Sequence, residues 1–193
     1  MIKRLSIKIT DLFVNRGIIN NDEYEIYVYG FDITLYTIIS TSALLFIGLI
    51  FHKLIDTIIT ISIFYICQSS GGGYHASTHG KCFAIMCIGL IFALLFEALI
   101  LSTRIYVVIS ILSLILLFSR PLVLHKNKSF LQDKKKQLIR KSIFSLLICV
   151  VSSCILITFF NIPISTIATA FMLATASRYY AIIDNKYHII SKQ

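Results

Sequence analysis

Two residues that could carry out covalent chemistry, His75 and Cys82, lie seven positions apart in a polar, glycine-rich segment at 71–82. A cysteine thiolate is a strong nucleophile, and a histidine within reach can take the thiol proton and later deliver it to a leaving amine. The sequence on both sides of this segment is apolar enough for a lipid bilayer. The two side chains therefore indicate covalent catalysis at a membrane surface.

The backbone of this segment must bend if His75 is to reach Cys82. On an unbroken α-helix the two residues would lie about 20° apart around the axis but about 10 Å apart along it, too far for a hydrogen bond. The glycines at 71–73 supply the freedom to bend, and Ser77 or Thr78 can cap a new helix. Cys82 would then lie near the first turn, where the helix dipole favours a thiolate and backbone N–H groups can stabilise an oxyanion.

The same residues allow other interpretations. His79 competes with His75 as the base, because a spacing of three residues places His79 and Cys82 on one helical face. Together, His75, His79 and Cys82 could bind zinc, although no fourth ligand is evident. A glycine loop with incidental histidine and cysteine is the non-catalytic alternative. The residues alone leave the choice of base and these alternatives open.

Composition predicts an integral membrane protein. Of the 193 residues 57% are hydrophobic, and the mean hydropathy is +0.85. The formal net charge of +9 comes from basic residues that flank apolar spans. Contact with membrane lipids and fixed orientation account for this charge, so we expect no nucleic acid partner. Four further cysteines lie in apolar runs and are interpreted as small core residues: Cys67, Cys87, Cys149 and Cys154.

The predicted fold class is an all-α, polytopic membrane protein with about six transmembrane or partly re-entrant helices and an N-terminal amphipathic helix. The apolar windows lie near 33–51, 54–69, 83–102, 105–122, 142–160 and 162–183. The window at 54–69 is short for a full crossing and is followed by three glycines, which predicts a broken or re-entrant helix.

The distribution of basic residues predicts the orientation in the cell membrane. With a cytoplasmic N-terminus, 16 of the 18 Lys and Arg residues face the cytoplasm, and Lys53 and Arg104 face outside. Both termini and the segment at 71–82 are then cytoplasmic. For Glu97, near the outer end of its span, we expect snorkelling to the interface or a pair with Arg104.

We predict a single membrane-embedded domain over 1–193. Its parts are a cytoplasmic-face amphipathic segment at 1–32, four spans at 33–122 with a catalytic loop at 70–82, a basic cytoplasmic loop at 123–141, and two spans with a C-terminal tail at 142–193.

Two motifs resemble those of the accessory gene regulator B family, the membrane cysteine endopeptidases that mature quorum-sensing autoinducing peptides in Gram-positive bacteria. The first is Gly-Gly-Tyr-His-Ala at 72–76, followed by Cys82. The second is Pro-Leu-Val-Leu-His-Lys-Asn-Lys at 121–128, followed by a lysine-rich stretch that ends at Arg140-Lys141-Ser142. Length, number of spans and order of the motifs agree, so the resemblance covers essentially the whole chain.

The resemblance implies a thiol protease with His75 as base and Cys82 as nucleophile, and it selects His75 over His79. Such an enzyme removes the C-terminal part of a precursor peptide and holds the remainder as a thioester on Cys82. A cysteine or serine of the precursor then closes a thiolactone or lactone ring. The resemblance implies a homodimer, and we expect neither a metal nor a cofactor.

Further residues are candidates for binding the precursor, whose N-terminal part is amphipathic and whose C-terminal tail is acidic in the family. The basic loop could recruit that tail, although setting topology and contacting lipid would explain the same charges. At Gln68, seven residues before His75, the family often has an arginine. The candidates are Gln68, Gly72, Gly73, Lys126, Lys128, Lys134, Lys135 and Lys136.

Two other functions compete with the peptidase. A small transporter or exporter of a peptide would suit six spans with one broken helix, but no second broken span lies at a matching position. A membrane scaffold or sensor would bind a peptide without cutting it.

Overall fold

The computed structural model of the protein describes residues 2–74, 78–99, 102–123 and 135–190. These residues form α-helices and one short 3-10 helix, Asn21–Glu23, and contain no strand. The α-helices are α1 Ile2–Asn15, α2 Tyr24–Ile50, α3 Leu54–Gly71, α4 His79–Ala98, α5 Thr103–Ser119, α6 Lys135–Phe160 and α7 Ile164–Ile190. The predicted all-α class is confirmed.

Within the described residues, four helical segments are long and apolar enough to cross a membrane. They are Asn21–Ile50, Leu54–Gly71, Gly80–Ala98 and Lys136–Phe160, and Thr103–Ser119 is a shorter apolar helix. The sixth predicted span corresponds to α7, which is as long as α2 but includes Arg178 and Asp184. The protein is therefore a multi-pass membrane protein, as the apolar windows predict.

The chain forms two compact units, Met1–Ile47 and Gly48–Gln193, and each is described by itself. In the first unit α1 lies within the predicted amphipathic segment and contacts the start of α2. Tyr24 donates a hydrogen bond of 2.6 Å to Asp11, and the rings of Phe13 and Phe31 are 5.6 Å apart. The prediction of a single domain stays a prediction.

In the second unit α7 is the central helix. It packs against α3, α4 and α5, while α6 packs against α3. Alanines at 168, 170 and 174 are buried and allow neighbouring helices to approach closely. The core contains Phe171, Leu117 and two of the predicted core cysteines, Cys67 and Cys149, whereas Cys154 is exposed.

Glu97 lies in a buried polar network that joins α3, α4 and α7. Its side chain is 1% exposed, and its carboxylate accepts hydrogen bonds of 2.9 Å from both Lys53 and Thr169. Nearby, Thr166 donates to Asp56 at 2.9 Å. The predicted snorkelling or pair with Arg104 is therefore wrong, because α3 and α4 both pack against α7, and this arrangement brings the Lys53 side chain to the carboxylate.

The helix α3 is continuous from Leu54 to Gly71, so the break predicted within this span does not occur. Its 18 residues extend about 27 Å, close to the thickness of a hydrocarbon core. The helix ends where Gly72 adopts φ +74° and ψ 170°, a region open essentially to glycine alone. The polar segment between α3 and α4 therefore begins with a glycine turn at the end of an intact helix.

Candidate active site

The helix α4 begins at His79, three residues before Cys82. Thr78 is the N-cap, and its hydroxyl accepts the backbone N–H of Lys81 at 3.3 Å. The N–H of Cys82 bonds the carbonyl of Thr78 at 3.1 Å, so the half-buried Cys82 is the fourth residue of the helix. The prediction that Thr78 caps a helix carrying Cys82 near its first turn is confirmed, and Ser77 lies outside the described residues.

The first turn of α4 offers backbone N–H groups. The N–H groups of His79 and Gly80 lie at the start of the helix, where no preceding turn supplies a carbonyl for them. Among the described residues, no atom lies within 4 Å of the position that a Cβ of Gly80 would occupy. These N–H groups lie at the positive end of the helix dipole, and the described residues leave the Cβ side of Gly80 open.

The glycine turn between α3 and α4 packs against the segment that follows α5. The N–H of Val123 donates to the carbonyl of Gly71 at 2.9 Å. A Cβ at Gly72 would overlap the carbonyl oxygen of Val123, and a Cβ at Gly71 would lie 2.7 Å from that of Pro121. Backbone therefore approaches backbone at both positions. This packing requires glycine at 71 and 72, and substrate contact by Gly72 stays a prediction.

Gln68, near the end of α3, connects the glycine turn to α7. Its side-chain nitrogen donates to the hydroxyl of Ser177. Its side-chain oxygen is buried without a hydrogen-bond partner among the described residues, and a Cβ at Gly73 would overlap this amide. Gln68 thus contacts the loop that leads to His75, while binding of substrate by Gln68 and Gly73 stays a prediction.

Tyr74 is the last described residue before His75, and it is held by α7. Its N–H contacts the carbonyl of Ser177 at 3.2 Å and the hydroxyl at 3.3 Å. Its ring meets the ring of Tyr180 edge-on, with centroids 4.6 Å apart. Partial burial, and then the charges of Tyr180, Asp184 and Cys82, raise the pKa of Tyr74 above its usual value. The main chain and the ring of Tyr74 are therefore both anchored to α7.

Arg178 is the largest fully buried side chain of the described residues, with 1% exposed. One terminal nitrogen donates to the carbonyl of Cys67 at 2.8 Å, and the other contacts the carbonyls of Leu117 and Arg120, each at 3.3 Å. The guanidinium also lies against Gly71. It therefore joins the C-terminal ends of α3 and α5, which carry partial negative charge.

The structure places Gln68 against both Gly73 and Ser177 of α7, and Gly71 against Arg178 of α7. The sequence does not point to either residue of α7 as part of the site. Ser177 has no local signal. Arg178 was counted among the orientation charges, although an arginine inside a predicted span is by itself a sign of function.

Several predicted site residues are not positioned by the structure. His75, Lys126, Lys128 and Lys134 lie outside the described residues. Lys135 is the first residue of α6, and Lys136 is exposed on its first turn. The choice between His75 and His79 as base therefore stays a prediction. In the described part of the chain, no three His, Cys, Asp or Glu residues are grouped to hold a metal ion.

Comparison with known proteins gives one family. The model of the AgrB family, accessory gene regulator B, matches residues 6–181. A protein of Clostridium perfringens (strain 13 / Type A), named AgrB-like protein 2, is 26% identical over 155 residues, which cover 76% of this chain and 72% of that protein. No solved structure matches the chain. The family match includes the glycine turn, Cys82 and the buried Arg178.

Proposed function

Because the chain belongs to the accessory gene regulator B family, we propose that it is a membrane cysteine endopeptidase that cuts a small precursor peptide and promotes its cyclisation. Membership gives the chain a role in accessory gene regulator peptide processing. The observation that carries the more specific proposal is the position of Cys82 in the capped first turn of α4.

In the first step His75 takes the proton of the Cys82 thiol, and the sulfur attacks the carbonyl carbon of the scissile peptide bond. The negative charge that develops on the carbonyl oxygen is stabilised by the backbone N–H groups of His79 and Gly80. When the C–N bond breaks, His75 delivers its proton to the departing amine. The N-terminal part of the precursor remains attached to Cys82 as a thioester.

In the second step a thiol or hydroxyl within the bound peptide attacks the thioester. The new bond closes a thiolactone or lactone ring, and the sulfur of Cys82 leaves and regains its proton. The thioester conserves the activation of the acyl group, so ring closure needs no further energy source. Water competes with ring closure, and a partly desolvated site would help to exclude it.

The basic segment beyond Val123 is proposed to recruit the acidic tail of the precursor. The lysines of this segment would raise the local concentration of an acidic peptide. The same charges can also contact lipid headgroups and set the topology. The excess of basic residues at this end of the chain's spans supports a cytoplasmic active site with both termini on the same side. A homodimer is part of the family-based expectation and of this proposal.

The proposal is tested by co-expressing the chain with its precursor and following the peptide by mass spectrometry. Cys82→Ala and His75→Ala are expected to lower cleavage by about 10³-fold or more, because each removes one partner of a reacting pair. His79→Ala is expected to retain most activity. The matched control is Cys87→Ala, which removes a half-buried thiol from the same helix.

Three results would contradict the proposal. Unchanged cleavage by Cys82→Ala would exclude the nucleophile. Loss of cleavage in His79→Ala with activity retained in His75→Ala would assign the base to His79. Release of an uncut peptide by the wild-type chain, with the same release by Cys82→Ala, would identify an exporter.

A further inference from the structure

We propose that Ser177 and Arg178, which we call the α7 clamp, are positioning residues that hold the loop bearing His75 in reach of Cys82. The proposal rests on the proposed function, since it assumes that His75 and Cys82 react together. Neither residue of the clamp is assigned a contact with substrate or with the reacting atoms. Both act through the backbone of the segment between α3 and α4.

Ser177 holds the end of the loop that is next to His75. The N–H of Tyr74 is shared between the carbonyl and the hydroxyl of Ser177, at 3.2 and 3.3 Å. Tyr74 directly precedes His75. Fixing the backbone N–H of Tyr74 therefore restricts the positions that the imidazole of His75 can reach. The hydroxyl also accepts the amide of Gln68. One side chain of α7 therefore ties both α3 and the loop to the same helix.

Arg178 holds the other end of the loop, where α3 stops. Its guanidinium bonds the carbonyl of Cys67 at 2.8 Å and lies against Gly71. Its second nitrogen contacts the carbonyls of Leu117 and Arg120. The chain that continues from Arg120 returns to the glycine turn through the bond between Val123 and Gly71. Arg178 thus fixes the glycine turn from two sides.

Simple packing would not require a guanidinium at this position. Burial of a charge without a carboxylate is costly, and no described acidic side chain forms an ion pair with Arg178. An apolar side chain would fill the same volume without that cost. What the guanidinium adds is a planar set of donors directed at three carbonyl groups on two helix ends. Such a set fixes geometry, which a reacting pair needs.

The same helix offers a comparison residue. Thr175 is buried on α7 and donates to the carbonyl of Ser113 on α5 at 3.2 Å, as well as to Phe171 within α7. It tethers α7 to a neighbouring helix with a hydroxyl, as Ser177 does, but neither of its hydrogen bonds among the described residues goes to the loop. Loss of its hydroxyl should affect packing alone.

The experiment measures two properties of the full-length protein in detergent. The first is kcat and KM for precursor cleavage. The second is the pH profile of Cys82 alkylation by iodoacetamide, quantified at that residue by mass spectrometry. Because a misplacement of about 1 Å can cost on the order of 100-fold in rate, Arg178→Lys is expected to lower kcat by about 100-fold and Ser177→Ala by about tenfold. KM should be unchanged in both variants.

The alkylation profile separates positioning from general stability. The wild-type profile is expected to differ from that of His75→Ala, because the imidazole takes part in ionising the thiol. Ser177→Ala and Arg178→Lys should shift toward the His75→Ala profile, and Ser177→Thr should restore the wild-type profile by keeping the hydroxyl. Thr175→Val, the matched control, should keep the wild-type profile and kcat.

The outcomes distinguish the two proposals. Identical profiles for the wild type and His75→Ala would refute the reacting pair and with it the proposed function. If those two profiles differ while Ser177→Ala and Arg178→Lys match the wild type in profile and kcat, the α7 clamp is refuted and the proposed function stands. If Arg178→Lys does not fold, the results for Ser177→Ala and Ser177→Thr decide.

Discussion

At one end of α3, α4 and α7, charged side chains bond other side chains, whereas at the other end the described partners of the buried Arg178 are backbone carbonyls. The first, which we call the paired end, contains Lys53, Glu97 and Thr169 in one set of hydrogen bonds and Asp56 with Thr166 in another. The second, the site end, contains Arg178, whose described partners are the carbonyls of Cys67, Leu117 and Arg120.

The two ends also differ in how completely their polar atoms are satisfied. Both carboxylate oxygens of Glu97 have a partner. At the site end the Nε of Arg178 and the side-chain oxygen of Gln68 are buried without a partner among the described residues. Unsatisfied buried groups are costly, and native proteins keep them mainly where function requires them. The comparison suggests that the paired end serves stability and the site end serves chemistry.

Among the changes that test this comparison, the largest expected effect is at the site end, from Gly72→Ala. The substitution meets a backbone conformation that alanine rarely adopts, with a strain of about 1–3 kcal/mol, and it places a Cβ on the carbonyl oxygen of Val123. Cleavage should fall by about 100-fold or more, measured by mass spectrometry of the precursor.

A matched control for this change is Gly89→Ala in α4. There the nearest atom to a new Cβ is Leu173 Cδ2 at 3.5 Å, an ordinary contact, so both activity and folding should be retained. Full activity of Gly72→Ala would mean that the glycine turn does not determine the geometry of the site.

The next effect is at the paired end, from Glu97→Ala. It leaves Lys53, which is 29% exposed, without its acid, and Thr169 keeps only its bond to the carbonyl of Thr166, so stability should fall by about 1–3 kcal/mol. Thermal unfolding in detergent should show the loss, while the alkylation rate of Cys82 stays unchanged. Glu97→Gln should lose less, because its amide oxygen still accepts from Thr169. A normal melting temperature together with lost cleavage would show that the paired end contributes to activity and not to stability.

The smallest effect is expected from the basic segment that continues from the site end. Replacing its lysines by glutamine should raise KM for an acidic precursor by about tenfold with kcat unchanged, and added salt should reduce the difference. The substituted residues are Lys126, Lys128, Lys134, Lys135 and Lys136. The matched control replaces Lys3 and Lys8 of α1. A fall in kcat instead would give these lysines a part in the chemistry.

The sequence predicts the order of the helices well because length and apolar character are local properties. Their boundaries are less predictable. The helix α6 begins at Lys135, seven residues before the apolar window at 142–160, because Lys, Gln, Leu and Arg are good helix formers outside a membrane as well. The partner of Glu97 depends on how α3 and α4 pack against α7, which no single window of sequence contains.

The candidate site also has one part that is predictable from local sequence and another part that is not. The cap at Thr78 and the position of Cys82 follow from a few neighbouring residues, and the sequence predicts both. Ser177 lies 103 residues from Tyr74, and Arg178 lies 111 residues from Cys67, so their contacts exist only in the folded protein. Of these contacts, only those of Arg178 have a local sequence signal, which is an arginine within an apolar window.

The distance in sequence between Tyr74 and Ser177 also sets an order in time during synthesis. At about 5–20 residues per second, the ribosome makes Ser177 roughly 5 to 20 s after Tyr74, since 103 residues separate them. Until then the nascent chain has its thiol but lacks the helix that secures the loop. If the α7 clamp positions the loop as proposed, a partly made chain lacks that positioning, and the proposed cleavage reaches its full rate only after α7 has packed against α3, α4 and α5.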